Sequence, residues 1–234
     1  MKKNEIILGL LLVAQSTVTF ADKTTDISGI WSSATVQGDF KFLSSHLDKL
    51  QWQMANQNGI RDDSSAGQRL NESVLLGQLN YQLNDNVSLG LGYVHDLIYP
   101  LNKRSYQENR PYQDIVWNQA VANFNLTLRT RFEERMNQTS GDTGYRAKQL
   151  TQISHDLPFL DGLSGYLSDE VYFYLNQTNF GKKGFSENRF SAGLSYQFTS
   201  QIGLDLGYLE QYIDNKTGNN LLINNLQTNL RYRF

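Results

Sequence analysis

Polar and apolar residues alternate with a period of two along most of this chain. From 85 to 94, Val87, Leu89, Leu91 and Tyr93 share one parity, with Ser88, Gly90 and Gly92 between them. From 126 to 136 the apolar-type set is Leu126, Leu128, Thr130, Phe132 and Met136. The same rhythm gives Leu167, Val171, Phe173 and Leu175; Phe190, Ala192, Leu194, Tyr196 and Phe198; and Ile202, Leu204, Leu206 and Tyr208. Successive side chains of a strand point to opposite faces, so this pattern predicts strands, each with one apolar face. Strands are predicted near 48–58, 69–83, 87–97, 110–122, 125–136, 145–156, 166–176, 186–198, 202–213 and 221–234. The segment 28–43 adds one long strand, or two short ones broken at Gly38-Asp39.

The chain ends on the sharpest of these alternations. Leu226, Leu230, Tyr232 and Phe234 lie on one side, and Gln227, Asn229, Arg231 and Arg233 on the other. A last strand that closes on a terminal aromatic resembles the C-terminal strand of bacterial outer-membrane barrels, where Tyr232 and Phe234 would serve as the assembly signal. The connections support the same reading. Short ones (84–86, 123–125, 199–201) alternate with longer polar ones (59–68, 99–111, 137–144, 177–186, 214–220), as short periplasmic turns alternate with external loops. Only 158–165 is too long for its slot. The expectation is an all-β chain forming a single antiparallel transmembrane β-barrel. Twelve strands follow if Gly38-Asp39 makes a hairpin, and ten plus an N-terminal appendage if it does not, since bacterial barrels normally have an even number.

The N-terminus adds a location. Lys2 and Lys3 precede the apolar run Ile6 to Ala14, and Thr19-Phe20-Ala21 has small residues at the positions a signal peptidase reads. Residues 1–21 therefore read as a signal peptide and 22–234 as the outer-membrane barrel. The apolar run is shorter than the roughly twenty residues of a spanning helix. Composition removes other classes. There is no cysteine, hence neither a disulfide framework nor a cysteine metal site. The net charge of −2 argues against nucleic acid as a partner.

Charge is concentrated on the face opposite the apolar one. Arg129, Arg131, Glu133 and Arg135 share a side of one strand, and an Arg facing lipid at mid-depth costs about 2–4 kcal/mol. That side must be the lumen. Glu108, Arg110 and Asp114, then Arg146 and Lys148, Glu187 and Arg189, and Glu170 with Tyr172 and Tyr174 follow the same parity. The expected lumen network is Glu108, Arg110, Arg129, Arg131, Glu133, Arg135, Arg146, Glu170, Glu187 and Arg189, with Glu108 and Glu170 as the principal acids. Its acids and bases nearly balance, which suits structural pairing better than a ring selecting ions of one sign.

In order along the chain stand Trp31; Glu108-Asn109-Arg110; Arg129-Thr130-Arg131-Phe132-Glu133-Glu134-Arg135; Tyr145-Arg146-Ala147-Lys148; Asp169-Glu170; Leu175-Asn176; Gly184-Phe185-Ser186-Glu187-Asn188-Arg189; and Gly207-Tyr208-Leu209. This ordered set, over roughly 31–234, resembles the domain-of-unknown-function 2490 family of bacterial outer-membrane barrels. Lys148 stands where the resemblance leads one to expect Arg. The resemblance implies fold and location, with no activity, substrate or cofactor.

Catalysis finds little footing. A hydrolase needs a Ser activated by a His and an orienting third group. The three histidines are His46, His95 and His155. Ser154-His155 are neighbours in a strand and face opposite ways; His95-Asp96 has no recognisable serine motif beside it. No metal or cofactor motif is visible, and Asp62-Asp63 and Asp142 read as solvated loop charges. The expectation is a non-enzymatic barrel, structural or narrowly pore-like. It would contact outer-membrane lipid and the outer-membrane assembly machinery, and its soluble ligand, if any, is unknown. The first alternative is a binding or adhesion barrel acting through its external loops, for which Tyr99, Tyr106 and Tyr112 give modest support; the second, less favoured, is a surface-lipid-modifying enzyme using His95.

Overall fold

The computed structural model describes residues 23–65, 67–215 and 218–234. The expected signal peptide lies outside the described residues. Eleven strands follow in sequence: β1 (Lys23–Asp39), β2 (Leu50–Ser64), β3 (Gly67–Gln82), β4 (Val87–Ile98), β5 (Tyr106–Val121) and β6 (Phe124–Asn137). Then come β7 (Thr143–Asp156), β8 (Leu163–Tyr174), β9 (Gly184–Gln197), β10 (Ile202–Ile213) and β11 (Asn219–Arg233). Each pairs antiparallel with the next, and β1 closes the cylinder against β11.

The closure corrects the strand count. Neither twelve nor ten strands form. Residues 23–39 make one continuous strand with no hairpin at Gly38-Asp39, and it pairs parallel to β11 from Lys23↔Asn219 to Gln37↔Arg233. An odd number of up-and-down strands leaves the first and last running the same way, so the seam has to be parallel. Gly29 sits in that seam because a Cβ there would lie 2.4 Å from Asn225 Oδ1 and 2.7 Å from the Ile60 carbonyl oxygen. Lys23 and Phe234 thus mark opposite rims.

The rims differ less than the sequence suggested. At the rim of Phe234 the connections are residues 40–49, 83–86, 122–123, 157–162 and 198–201. The first carries a 3-10 turn at Ser45–Leu47. At the rim of Lys23 they are 65–66, 99–105, 138–142, 175–183 and 214–218. The expected long loop over 59–68 is mostly strand, because β2 and β3 stay paired through bulges as far as Ser64↔Gly67. The polar run Arg61-Asp62-Asp63-Ser64 is strand that rises above the apolar belt, and a polar strand there looks like a loop in sequence.

Parity holds along the wall. Leu89, Leu91, Tyr93, Phe132, Leu167, Phe173, Leu194 and Leu206 are exposed on the outside. Aromatics gather near the two rims. Phe234 packs on Trp52 and Tyr232, with ring centroids 5.6 and 4.8 Å away, and Phe124 lies 5.0 Å from His155 at the same rim. Near the other rim, Phe185 is 6.2 Å from Phe173 and 6.1 Å from Tyr212. Inside, Val74, Leu76, Val94, Ala55 and Tyr112 form a small apolar cluster against the wall. Gly92 makes the seat for Tyr112: a Cβ at that position would be 2.2 Å from the ring.

Candidate functional site: the charge-paired lumen

The charged side chains sit in the half of the barrel nearer the rim of Lys23. This follows from their positions near the ends of β4, β6 and β8 and the beginnings of β3, β5, β7 and β9. Register brings opposite charges face to face. Asp114 is directly across from Arg131, Glu133 from Arg146, and Glu170 from Arg189.

Arg131 grips Asp114 with two bonds, Nε to Oδ1 and Nη2 to Oδ2, both 2.7 Å. Its guanidinium lies 3.6 Å from the centre of the Tyr112 ring. This is the bidentate, stacked geometry that distinguishes arginine from lysine. Glu133 receives Arg146 and also Lys148, whose Nζ is 2.6 Å from Oε2. Lys148 thus belongs to the network as a point charge. Arg146 reaches on to Glu187 at 3.6 Å, and Glu187 accepts from Arg189 Nε at 2.6 Å and from Gln211 at 2.7 Å.

Asp96 and Glu108 face each other across β4 and β5, like charges directly opposite. Such a pair repels. Arg110 resolves it by bonding both, Nη2 to Asp96 and Nε to Glu108 at 2.9 Å. Arg135 takes the rest of Glu108 through Nε and Nη2, at 2.9 and 2.7–2.8 Å, and donates to the Tyr174 hydroxyl. Glu170 bonds Arg129 at 2.6 Å across the intervening Leu150 and accepts from the Tyr172 hydroxyl at 2.5 Å. Seven cations (Arg110, Arg129, Arg131, Arg135, Arg146, Lys148, Arg189) meet seven carboxylates (Glu72, Asp96, Glu108, Asp114, Glu133, Glu170, Glu187).

The ten predicted residues all form ion pairs inside the barrel, in four groups: Arg110 and Arg135 with Glu72, Asp96 and Glu108; Arg146, Lys148 and Arg189 with Glu133 and Glu187; Arg129 with Glu170; and Arg131 with Asp114. Glu170 takes Arg129, two strands away, and Arg131 finds Asp114 on the adjacent strand. Glu108 lies inside β5 and is fully buried. Sequence reasoning left Glu72 and Asp96 out. Asp96 shares the parity of Gly90 and Gly92, which was the available signal. Glu72 shares its face with Val74 and Leu76, so that face of β3 did not look like a lumen.

Two cavities meet at this network. The larger, about 550 Å³, opens toward the rim of Phe234, and glutamines such as Gln53, Gln57 and Gln152 line it. The smaller, about 260 Å³, lies toward the rim of Lys23. Glu72, Arg110, Arg146 and Arg189 line both, so these four form the wall between them.

A family model described as "Protein of unknown function (DUF2490)" matches residues 28–221. The chain belongs to the DUF2490 family. A curated relative, an uncharacterized protein of Methylorubrum extorquens, is 27% identical over 148 residues. That match covers 61% of this chain and 64% of the relative, so the chain spans less than two thirds of the relative's length. No solved structure matches. In this DUF2490 barrel the matched range contains the whole charge network, from Glu72 to Arg189.

The other candidates stay apart. His95 lies on the outer face, its Nδ1 3.0 Å from Asn109 Oδ1. His155 Nδ1 is 2.6 Å from the Asn123 carbonyl oxygen. Among the described residues no histidine ring bonds a serine hydroxyl, and no group of three or more His, Asp or Glu is arranged to hold a metal ion. Asp63 is held by Arg69 through two bonds of 2.6 and 2.7 Å. Tyr112 is fully buried inside the barrel and Tyr106 lines the smaller cavity. The aromatic loop patch that would favour a binding barrel is thus divided between the interior and the rim.

Proposed function

We propose that this chain is a bacterial outer-membrane barrel that works as a narrow, charge-occluded pore, without an enzymatic role. The observation that carries the reading is the wall of Glu72, Arg110, Arg146 and Arg189 between two cavities inside a closed barrel. Its location in the outer membrane is supported by the exposed apolar face, the aromatics near both rims and the leader-like N-terminus. Its partners on this reading are outer-membrane lipid and the assembly machinery that receives Tyr232 and Phe234.

The pairing is structural in the first instance. Removing one member of a buried ion pair costs about 3–5 kcal/mol, because the other is left uncompensated. A cylinder this narrow needs its lumen filled, and register-matched pairs fill it while fixing which strand residues face each other.

Fractionation of cells, with heat-modifiable migration on gels, tests the location. Recovery of folded protein only from a soluble fraction would sink it. Planar-bilayer recording of the refolded protein tests the pore: small or absent conductance is expected from the wild type. A large, steady conductance comparable to that of an open general pore would reject the occluded reading.

A further inference from the structure

The network is balanced in number but not in what it shows to the cavities. In most pairs the cation is the more exposed member. Side-chain exposure is 28% for Arg129 against 11% for Glu170, 21% for Arg189 against 9% for Glu187, and 13% for Arg135 against 0% for Glu108. Lys148 is 11% exposed and Glu133 is 1%. Glu72 is the main exception, at 15% against 9% for Arg110. The carboxylates stand against the barrel wall and the guanidinium groups stand in front of them.

The lining of the larger cavity reflects this. Seven cationic side chains border it, against four acidic ones (Glu72, Asp114, Glu133 and Glu170). Arg129 makes one side-chain bond, through Nη2, and its Nε has no partner among the described residues. Arg233, nearer the mouth, has no ion pair among them. Gln53, Gln57 and Gln152 bring amide donors to the same space.

We infer that the larger cavity is a binding site for small oxyanions, of the phosphate, sulfate or carboxylate type, with Arg129 as its principal contact. Guanidinium donors match such oxygens in geometry, and the volume falls in the range of ligand sites. Glu170 is the less exposed member of its pair, so Arg129 is the group that the pair offers to the ligand. The site does not depend on the barrel conducting, so an absence of current in bilayers leaves it untouched.

The test is calorimetric titration of inorganic phosphate into the refolded, detergent-solubilised barrel at constant ionic strength. Saturable binding is expected. Arg129→Gln should weaken it by about tenfold or more, the loss of one charge-assisted bond. The exchange of the pair, Arg129→Glu with Glu170→Arg, keeps the net charge and the partners while placing a carboxylate in front, and should abolish binding. Glu170→Gln, which unmasks Arg129, should not weaken binding, and it stands in where the exchanged barrel fails to fold. Absence of saturable binding to the wild type, equal affinity in wild type and Arg129→Gln, or weaker binding in Glu170→Gln would each overturn the proposal.

Discussion

Asp114 and Arg131 face each other across β5 and β6, joined by two bonds of 2.7 Å, with Tyr112 stacked on the guanidinium. Both side chains are almost fully buried. Asp114→Asn should lower the stability of the refolded barrel by about 3–5 kcal/mol, read as a shift of the urea unfolding midpoint in lipid vesicles. Replacing both residues by Leu should recover part of that loss, since a buried pair often gains little over apolar residues of similar volume. A single mutant as stable as the wild type would show the pair to be hydrated.

Arg110, Arg146 and Arg189 wall off the two cavities from each other. A variant with all three changed to Ser should conduct measurably more than the wild type in planar bilayers. If both give the same current, the passage is blocked, or open, somewhere else.

Leu91 points outward from the middle of β4 and is the most exposed of that strand's leucines. Leu91→Arg should hinder insertion into bilayers by about 2–4 kcal/mol. Gly90, one position away, faces inward toward Gln78, Asn80 and Asp114. Unaltered folding of Leu91→Arg into vesicles would argue that this face meets no lipid.

The parallel seam has a topological consequence. Thr24 lies at the rim of Ser140 and Lys103, opposite the rim of Asp85 and Ser200. The protein has no cysteine, so single cysteines can be labelled cleanly. Thr24→Cys and Ser140→Cys should react with a membrane-impermeant maleimide on intact cells, while Asp85→Cys and Ser200→Cys should stay protected. Labelling of 24 together with 85 would contradict the eleven-strand closure.

Phe234 packs against Trp52, and its N–H donates to the Gln37 carbonyl oxygen at 3.0 Å, so it also clasps β1 and β2. Deleting it should leave unfolded protein in the periplasm, seen as loss of heat-modifiable migration. Normal assembly of the truncated chain would remove both the assembly role and the clasp.

What the sequence determined by itself was the wall of the barrel. The outside and the interior of a closed barrel are different surroundings for the two faces of every strand, so the strands from Val87 onward carry a period-two pattern, and the charges that share one parity assign the inner face without any structure. Each strand writes that information locally. The seam, the partners and the presentation of charge are nonlocal, and only the tertiary structure decided them. Residues 23–39 alternate well enough for a strand, but nothing in them says whether Gly38-Asp39 turns the chain or whether β11 is met parallel. That depends on closing the cylinder. Likewise Arg129, Arg131, Glu133 and Arg135 announce a charged lumen, yet whether Glu170 meets Arg129 or Arg131 depends on the register of β5 to β9. Which member of each pair stands in front depends on side-chain length and on room inside the barrel, neither of which composition records. A count of charges reads the lumen as neutral; the three-dimensional arrangement turns its arginines toward the cavity.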